Sequence, residues 1–288
     1  MHKAVISDYL APFDGSFRVK KLPTEPPDDA PGKSKLKERL DELTEELAEL
    51  QPLLYADNRH ALLCIFQALD AAGKDGTIKA VLTGVNPAGC QVFAFKQPTV
   101  EELDHDFLWR TTMRLPERGR IGVFNRSYYE EVLVVRVHPE FLAPQRLPGK
   151  GGEQLWAERF ESIRNYERHL SINGTIVLKF WLNVSKEEQR RRFLARIDSP
   201  EKNWKFSTRD VQERNHWDDY MHAYEEAIRA TAREWAPWYV IPADDKKYAR
   251  VCVADIMVRT LKALKLEFPK SSAEDLHRFE EMRALLEE

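Results

Sequence analysis

At 288 residues and 33.6 kDa, with 43% hydrophobic and 32% charged residues, the chain has the composition of a folded globular protein rather than a disordered or fibrous one. Its net charge of -3 and pI near 6.3 give no global field that would attract a polyanion, so one would have to be met by a local basic patch. Three widely spaced cysteines without a CxxC pair exclude a disulfide framework and a cysteine zinc knuckle, and no apolar run approaches the roughly 18 residues of a membrane span. The expectation is a cytoplasmic protein with buried thiols and no membrane partner.

Residues 1–33 read as an irregular arm wrapped on the body, because Pro12, Pro23, Pro26, Pro27 and Pro31 keep regular helix out of much of it. From Ser34, a candidate N-cap, Leu36, Leu40, Leu43, Leu47 and Leu50 recur at three and four and predict an amphipathic helix that Pro52 limits. Its apolar face is expected to pack on the chain's own core rather than in a coiled coil, and arm and helix form a unit over 1–55. A second unit, 56–270, opens with the apolar run "ALLCIFQ" (61–67) and continues through strands at 90–95, 120–125, 175–184 and 237–244. Helical patterns at 101–113 and 152–171 separate several of them, which implies an α/β layered domain with a mostly parallel sheet. Residues 185–217 hold nine Lys or Arg against six Asp or Glu, with Ser185 and Glu188 spaced as a capping box, and read as a basic helical lid. Phe193, Leu194 and Ile197 give its first helix an apolar side, and a helical tail is expected over 271–288.

Three clusters carry candidate chemistry. "ALDAAGKDGT" (68–77) follows the first strand and resembles the phosphate loop G-x-x-x-x-G-K-[ST], with Ala68 in place of the first glycine and Asp75 in place of the hydroxyl. Gly73 and Gly76 let backbone N–H groups approach phosphate oxygens, Lys74 supplies an ammonium, and Thr77, Asp70 or Asp75 must replace the missing cation ligand. Ala68 is tolerable there if its φ is negative. The second cluster lies in "RIGVFNRSYYEEV" (120–132), where a strand delivers Asn125, Arg126, Glu130 and Glu131 to the edge at which open α/β sheets bind ligands. Arg126 offers a guanidinium fork to phosphate, or simply pairs with Glu130. The third, Asp244 to Lys247, lines a nucleotide pocket or caps the following helix through Asp245. His105, His138 and His216 lack metal-ligand spacing.

Together "ALDAAGKDGTIKAV", "GVNPAGCQVFAFKQPT", "RGRIGVFNRSYYEEVLVVRVHP", "SKEEQRRRFLARID" and "APWYVIPADDKKYAR" resemble the polyphosphate kinase 2 family, and within it the class III group that phosphorylates nucleoside mono- and diphosphates. The resemblance implies a P-loop kinase-like three-layer αβα fold with a helical lid. It implies Asp70 as the residue that binds Mg²⁺ (or Mn²⁺) and activates the acceptor, with Lys74 and Arg126 beside it as catalytic groups. Gly73, Asp75, Gly76, Thr77, Asn125 and Glu130 would contact nucleotide and phosphate, and Lys179, Arg190, Arg191, Lys202, Lys205 and Arg209 would meet polyphosphate along the lid. "FNRSYYE" differs from the F-D-R-S-W-Y-N of the diphosphate-preferring class at Asn125 and Glu130, the glutamate being associated with monophosphate acceptors.

The implied partners are inorganic polyphosphate, AMP, ADP and guanine nucleotides, in a homo-oligomer, without nucleic acid. Two alternatives have other classes of chemistry. An ATP-dependent nucleoside monophosphate kinase shares the fold and loop, and a nucleic-acid-binding module would use the basic residues near Trp204, Phe206 and Trp217.

Overall fold

In the computed structural model, which describes residues 2–149, 151–201 and 203–287, five strands form one parallel sheet in the order β2-β3-β1-β4-β5. The strands are β1 (Ala61–Gln67), β2 (Cys90–Ala94), β3 (Ile121–Asn125), β4 (Thr175–Asn183) and β5 (Trp238–Pro242), each within two residues of its predicted bounds. Every residue of β1 is buried because both faces are covered. Leu62, Cys64 and Phe66 join a core formed with α1 (Lys33–Asp57), α2 (Lys74–Val81) and α10 (Lys246–Ala263). Leu63 and Ile65 face the opposite core, to which α6 (Glu153–Ile172) and α9 (Trp217–Thr231) contribute Phe160, Ile163, Tyr224 and Ile228. The result is the expected three-layer αβα fold.

Helix α1 packs on α10 through Leu43, Leu47 and Leu54, as the chain's own core requires. Its N-cap is Gly32 rather than Ser34, and Pro52 does not end it. Gln51 and Leu54 are buried on either side of the proline, so tertiary packing holds the last turn. The helix expected over 101–113 is instead two single turns, α3 (Val100–Leu103) and α4 (Trp109–Thr112). Between them the Asp106 carboxylate accepts the Leu108 N–H and offers the backbone a turn in place of helix. A further short helix, α5 (Val134–Val137), follows the turn after β3. The arm does wrap the body: Ala11 N donates to Trp238 O (2.9 Å) and Tyr9 O accepts from Val240 N (2.8 Å), which covers the free edge of β5.

The lid comprises α7 (Lys186–Ile197), a 3-10 turn at Asn203–Lys205 and α8 (Thr208–Glu213). Ser185 caps α7 through the Glu188 N–H, but the reciprocal half of the capping box is absent: Glu188 binds arginines, and Asp244 accepts from Ser185 N instead. Phe193 is buried, while Leu194 and Ile197 are exposed. The tail forms α11 (Ala273–Glu287), none of whose residues is buried.

Candidate active site

The loop between β1 and α2 lies at the carboxyl edge of the sheet, where a helix N-terminus and its free N–H groups favour anions. Two of its residues have left-handed backbone, Gly73 (φ 101°) and Ala71 (φ 62°). Ala68 is not among the positive-φ residues, so the missing glycine is tolerated; the demanding alanine is Ala71, three positions later. Lys74, at the start of α2, donates to Asn125 Oδ1, and Asn125 Nδ2 donates to Asp75 Oδ1 at 2.9 Å. Burial and the nearby Arg126 pull the Lys74 pKa below the ordinary lysine value, against the attraction of Asp75, Glu130 and Asp70.

Directly across the sheet edge, β3 hands the chain to a tight turn. Asn125 is in register with Phe66 of β1, and Arg126 (φ 65°) donates its backbone N–H to Phe66 O at 3.0 Å. This left-handed residue aims its guanidinium along the edge, where Nη1 donates to Glu130 Oε2 (2.9 Å) and Nη2 to Asp70 Oδ1 (2.7 Å). Glu130, and then Asp70 against burial, hold Arg126 firmly protonated, with its pKa above the ordinary arginine value. Arg126 thus makes the expected pair with Glu130 and also reaches Asp70 in the phosphate loop. Below the turn, Tyr128 and Tyr129 are fully buried and both donate to Glu167 Oε1, at 2.9 and 2.8 Å.

Asp70, Arg126 and Glu130 open onto a cavity of about 400 Å³. Phe95, Val135 and Phe141 give it apolar walls, and Arg110, Arg209 and Tyr220 give it polar ones. The size and the mixed lining suit a nucleotide. Arg209 belongs to this cavity, with its guanidinium 5.9 Å from the centre of the Phe141 ring. Gly76 sits inside α2, close beneath Arg250, where an added Cβ would lie 3.2 Å from Nη2. Thr77 is 2% exposed and outside the cavity wall.

Lys179 corrects an expectation. It is completely buried in β4, its Nζ donating to Glu167 Oε2 (2.6 Å), Tyr129 Oη (3.0 Å) and the Thr231 carbonyl (3.0 Å), so it has no access to polyphosphate. Burial lowers its pKa, and Glu167 opposes that. Arg190 and Arg191 are exposed, paired with Glu187 and Glu188 on their own helix, and neither lines the cavity. Lys202 lies outside the described residues, as does the side chain of Lys205. Asp245 caps α10 through the Lys247 and Tyr248 N–H groups, which selects the capping alternative for it. Cys64 is buried, but Cys90 and Cys252 are only partly so; burial still raises the thiols, to about 11 for Cys90 and about 12 for Cys252.

Sequence reading missed Gln67 and Gln189 and left Arg192 unassigned. Arg192, 7% exposed, turns into the body: Nη1 donates to Ala71 O (3.1 Å) and Ala72 O (2.7 Å), and Nη2 to Ala243 O (2.7 Å) and Asp244 O (3.0 Å). Gln189 Nε2 donates to Asp70 O at 2.9 Å. The only signal in the sequence was their spacing, three apart and so on one face of α7, towards a loop known only from the fold.

The donor set also fits a hard divalent cation. Asp70 offers a half-exposed carboxylate beside the phosphate loop, and Asn125 a carbonyl oxygen. Among the described residues no cluster of three His, Cys, Asp or Glu could hold a metal, so phosphate and water oxygens would complete its shell. No helix among them is long and apolar enough to cross a membrane.

The sequence profile described as Polyphosphate kinase 2 matches residues 31–269. The chain is 60% identical over 230 residues to an ADP-polyphosphate phosphotransferase of Rhodopseudomonas palustris, covering 79% of this chain and 80% of the relative. It is 46% identical over 266 residues to an AMP/ADP-polyphosphate phosphotransferase of Meiothermus ruber, covering 91% and 95%. Among solved structures it is similar to polyphosphate kinase 2 from Arthrobacter aurescens TC1, with a TM-score of 0.84 at 39% identity, covering 92% of this chain and 93% of that one.

Proposed function

Because the chain belongs to the polyphosphate kinase 2 family, we infer that it transfers the terminal phosphoryl group of inorganic polyphosphate to AMP and ADP, forming ADP and ATP. The observation that carries this reading is the convergence of Asp70, Lys74, Arg126 and Glu130 on one edge of the parallel sheet, beside a cavity of nucleotide size. The AMP/ADP-polyphosphate phosphotransferase of Meiothermus ruber supports monophosphate acceptance, which the resemblance associates with Glu130, and guanine nucleotides are proposed as further acceptors.

Phosphoryl transfer needs little covalent help from a protein; it needs the two phosphates held in line and the charge on the transferred oxygens neutralised. Lys74 and the N–H groups at the start of α2 hold the donor end, and Arg126 bridges from the acceptor side. Asp70, paired with Arg126, would hold Mg²⁺ or Mn²⁺, and through the ion and Arg126 would orient the acceptor phosphate. Such an ion, when bound, supplies further neutralisation of phosphate oxygens. The lid carries polyphosphate along Arg190 and Arg191, and Arg209 closes over the acceptor. The protein acts in the cytoplasm as a homo-oligomer, for which the exposed Leu276, Phe279, Met282 and Leu285 of α11 offer an apolar surface.

The test is purified protein with Mg²⁺ and either long-chain polyphosphate or ATP as donor, and separately AMP, ADP, GMP and GDP as acceptors. Expected is AMP passing to ADP and then ATP with polyphosphate. ATP proving the better donor for AMP would overturn the reading in favour of an ordinary nucleoside monophosphate kinase.

A further inference from the structure

Gln67 is the last residue of β1 and is 1% exposed, on the face that Leu63 and Ile65 devote to apolar packing. A buried amide at such a place is costly unless both its ends are bonded, and an apolar side chain of the same size would pack as well. Both ends are bonded, and both to the turn after β3. Gln67 Nε2 donates to Glu130 Oε1 at 2.7 Å, and Gln67 Oε1 accepts from Ser127 Oγ at 3.4 Å. Glu130 therefore divides its two oxygens between a neutral amide in the core and the Arg126 guanidinium at the site. Arg126 in turn divides its two terminal nitrogens between Glu130 and Asp70. The chain of contacts runs from the buried end of one strand to the carboxylate of the phosphate loop, without a break.

The geometry points to Gln67 as a positioning residue for phosphoryl transfer: it fixes the carboxylate of Glu130, and through it the direction of the Arg126 guanidinium. This rests on the proposed polyphosphate-dependent transfer, but concerns a residue that touches neither substrate. The left-handed backbone of Arg126 is held by one N–H bond to Phe66 O, and its side chain has no other anchor among the described contacts than the two carboxylates. If Glu130 swings, Arg126 swings with it. A carboxylate suits position 130, because it gives each donor its own oxygen and meets the Arg126 guanidinium with a full negative charge.

The experiment compares wild type, Gln67→Met, Gln67→Glu, Glu130→Ala and the double variant Gln67→Met/Glu130→Ala, with KM for polyphosphate and for AMP measured separately from kcat. Gln67→Glu retains shape and can still accept from Ser127, but presents a second carboxylate to Glu130. Both single Gln67 variants are expected to lose on the order of 10- to 100-fold in kcat, the cost of a misdirected group, with KM for polyphosphate within about twofold of wild type. In the Glu130→Ala background, Gln67→Met is expected to cost less than about twofold more. Wild-type kcat in Gln67→Glu, or losses that multiply in the double variant, would overturn the assignment, as would an equal rise in both KM values. An inactive wild-type protein would instead defeat the functional reading itself, so the two failures are separable.

Discussion

Lys74 is the residue on which the phosphate loop depends most directly. It is mostly enclosed but bonded only at its tip, so Lys74→Ala should lower kcat by about 100-fold or more while leaving the thermal midpoint nearly unchanged. Its lowered pKa gives a second test. In the free enzyme Lys74 sheds its proton at a pH below the ordinary 10.5, so kcat/KM for polyphosphate should fall on the alkaline side from below that value. Lys74→Arg should remove that fall, and a limb that persists would place the titration elsewhere. Ala68 supplies a contrast. Since its φ is not positive, restoring the phosphate-loop glycine by Ala68→Gly should raise activity not at all and cost about 0.5–1 kcal/mol in urea denaturation. The consensus departure that looked weakest in the sequence thus places no strain on the backbone, and the strained residue, Ala71, carried no sign of its conformation. A one-letter pattern records which residue is present but not its φ.

At the scale of elements, α7 is tied to the phosphate loop by the Arg192 guanidinium and, beside it, the Gln189 amide. Arg192 satisfies four carbonyls at once, and a lysine cannot reproduce that planar spread. Arg192→Lys is therefore expected to cost about 2–4 kcal/mol in denaturant unfolding, because several buried carbonyls lose their donor. Glu188 closes the same network. Burial raises its pKa, but hydrogen bonds from Arg191 and Arg192 outweigh that and leave it below the ordinary 4.5. A carboxyl depressed in the folded state stabilises above its unfolded pKa and ceases to do so as pH falls through its folded one. The thermal-midpoint gap between wild type and Glu188→Gln should accordingly narrow from pH 5 downwards, and a gap independent of pH would reject the linkage. The strands and most helices were legible because hydrophobic period and flanking turns are local properties. The facing of the lid was not: three consecutive arginines differ only in which one meets the loop, and that is decided by residues 120 positions away. Lys179 was misread for the same reason, since its buried partner Glu167 lies on a different element.

For the molecule as a whole, the two ends contribute unequally. The arm covers the edge of β5 and buries Ala11 and Phe17, whereas α11 buries nothing. Removing residues 271–288 should leave the fold of the single chain intact and act on assembly through the apolar face of α11, while removing residues 2–17 should lower the thermal midpoint by several degrees and promote aggregation through the bared strand. The resting site has a consequence at this scale too. Two cations, Lys74 and Arg126, stand among three anions, Asp70, Asp75 and Glu130, already in contact with one another or with Asn125, in a chain whose overall charge is -3. A solitary phosphate ion arriving there finds no surplus of positive charge and must break existing pairs for a single new one. In the proposed reaction, a polymer that makes further contacts along its length would meet that cost once and spread it over many phosphates. The self-neutralised site thereby acts as a filter on ligand valence, and orthophosphate should compete poorly with polyphosphate even when the two are matched in total phosphorus.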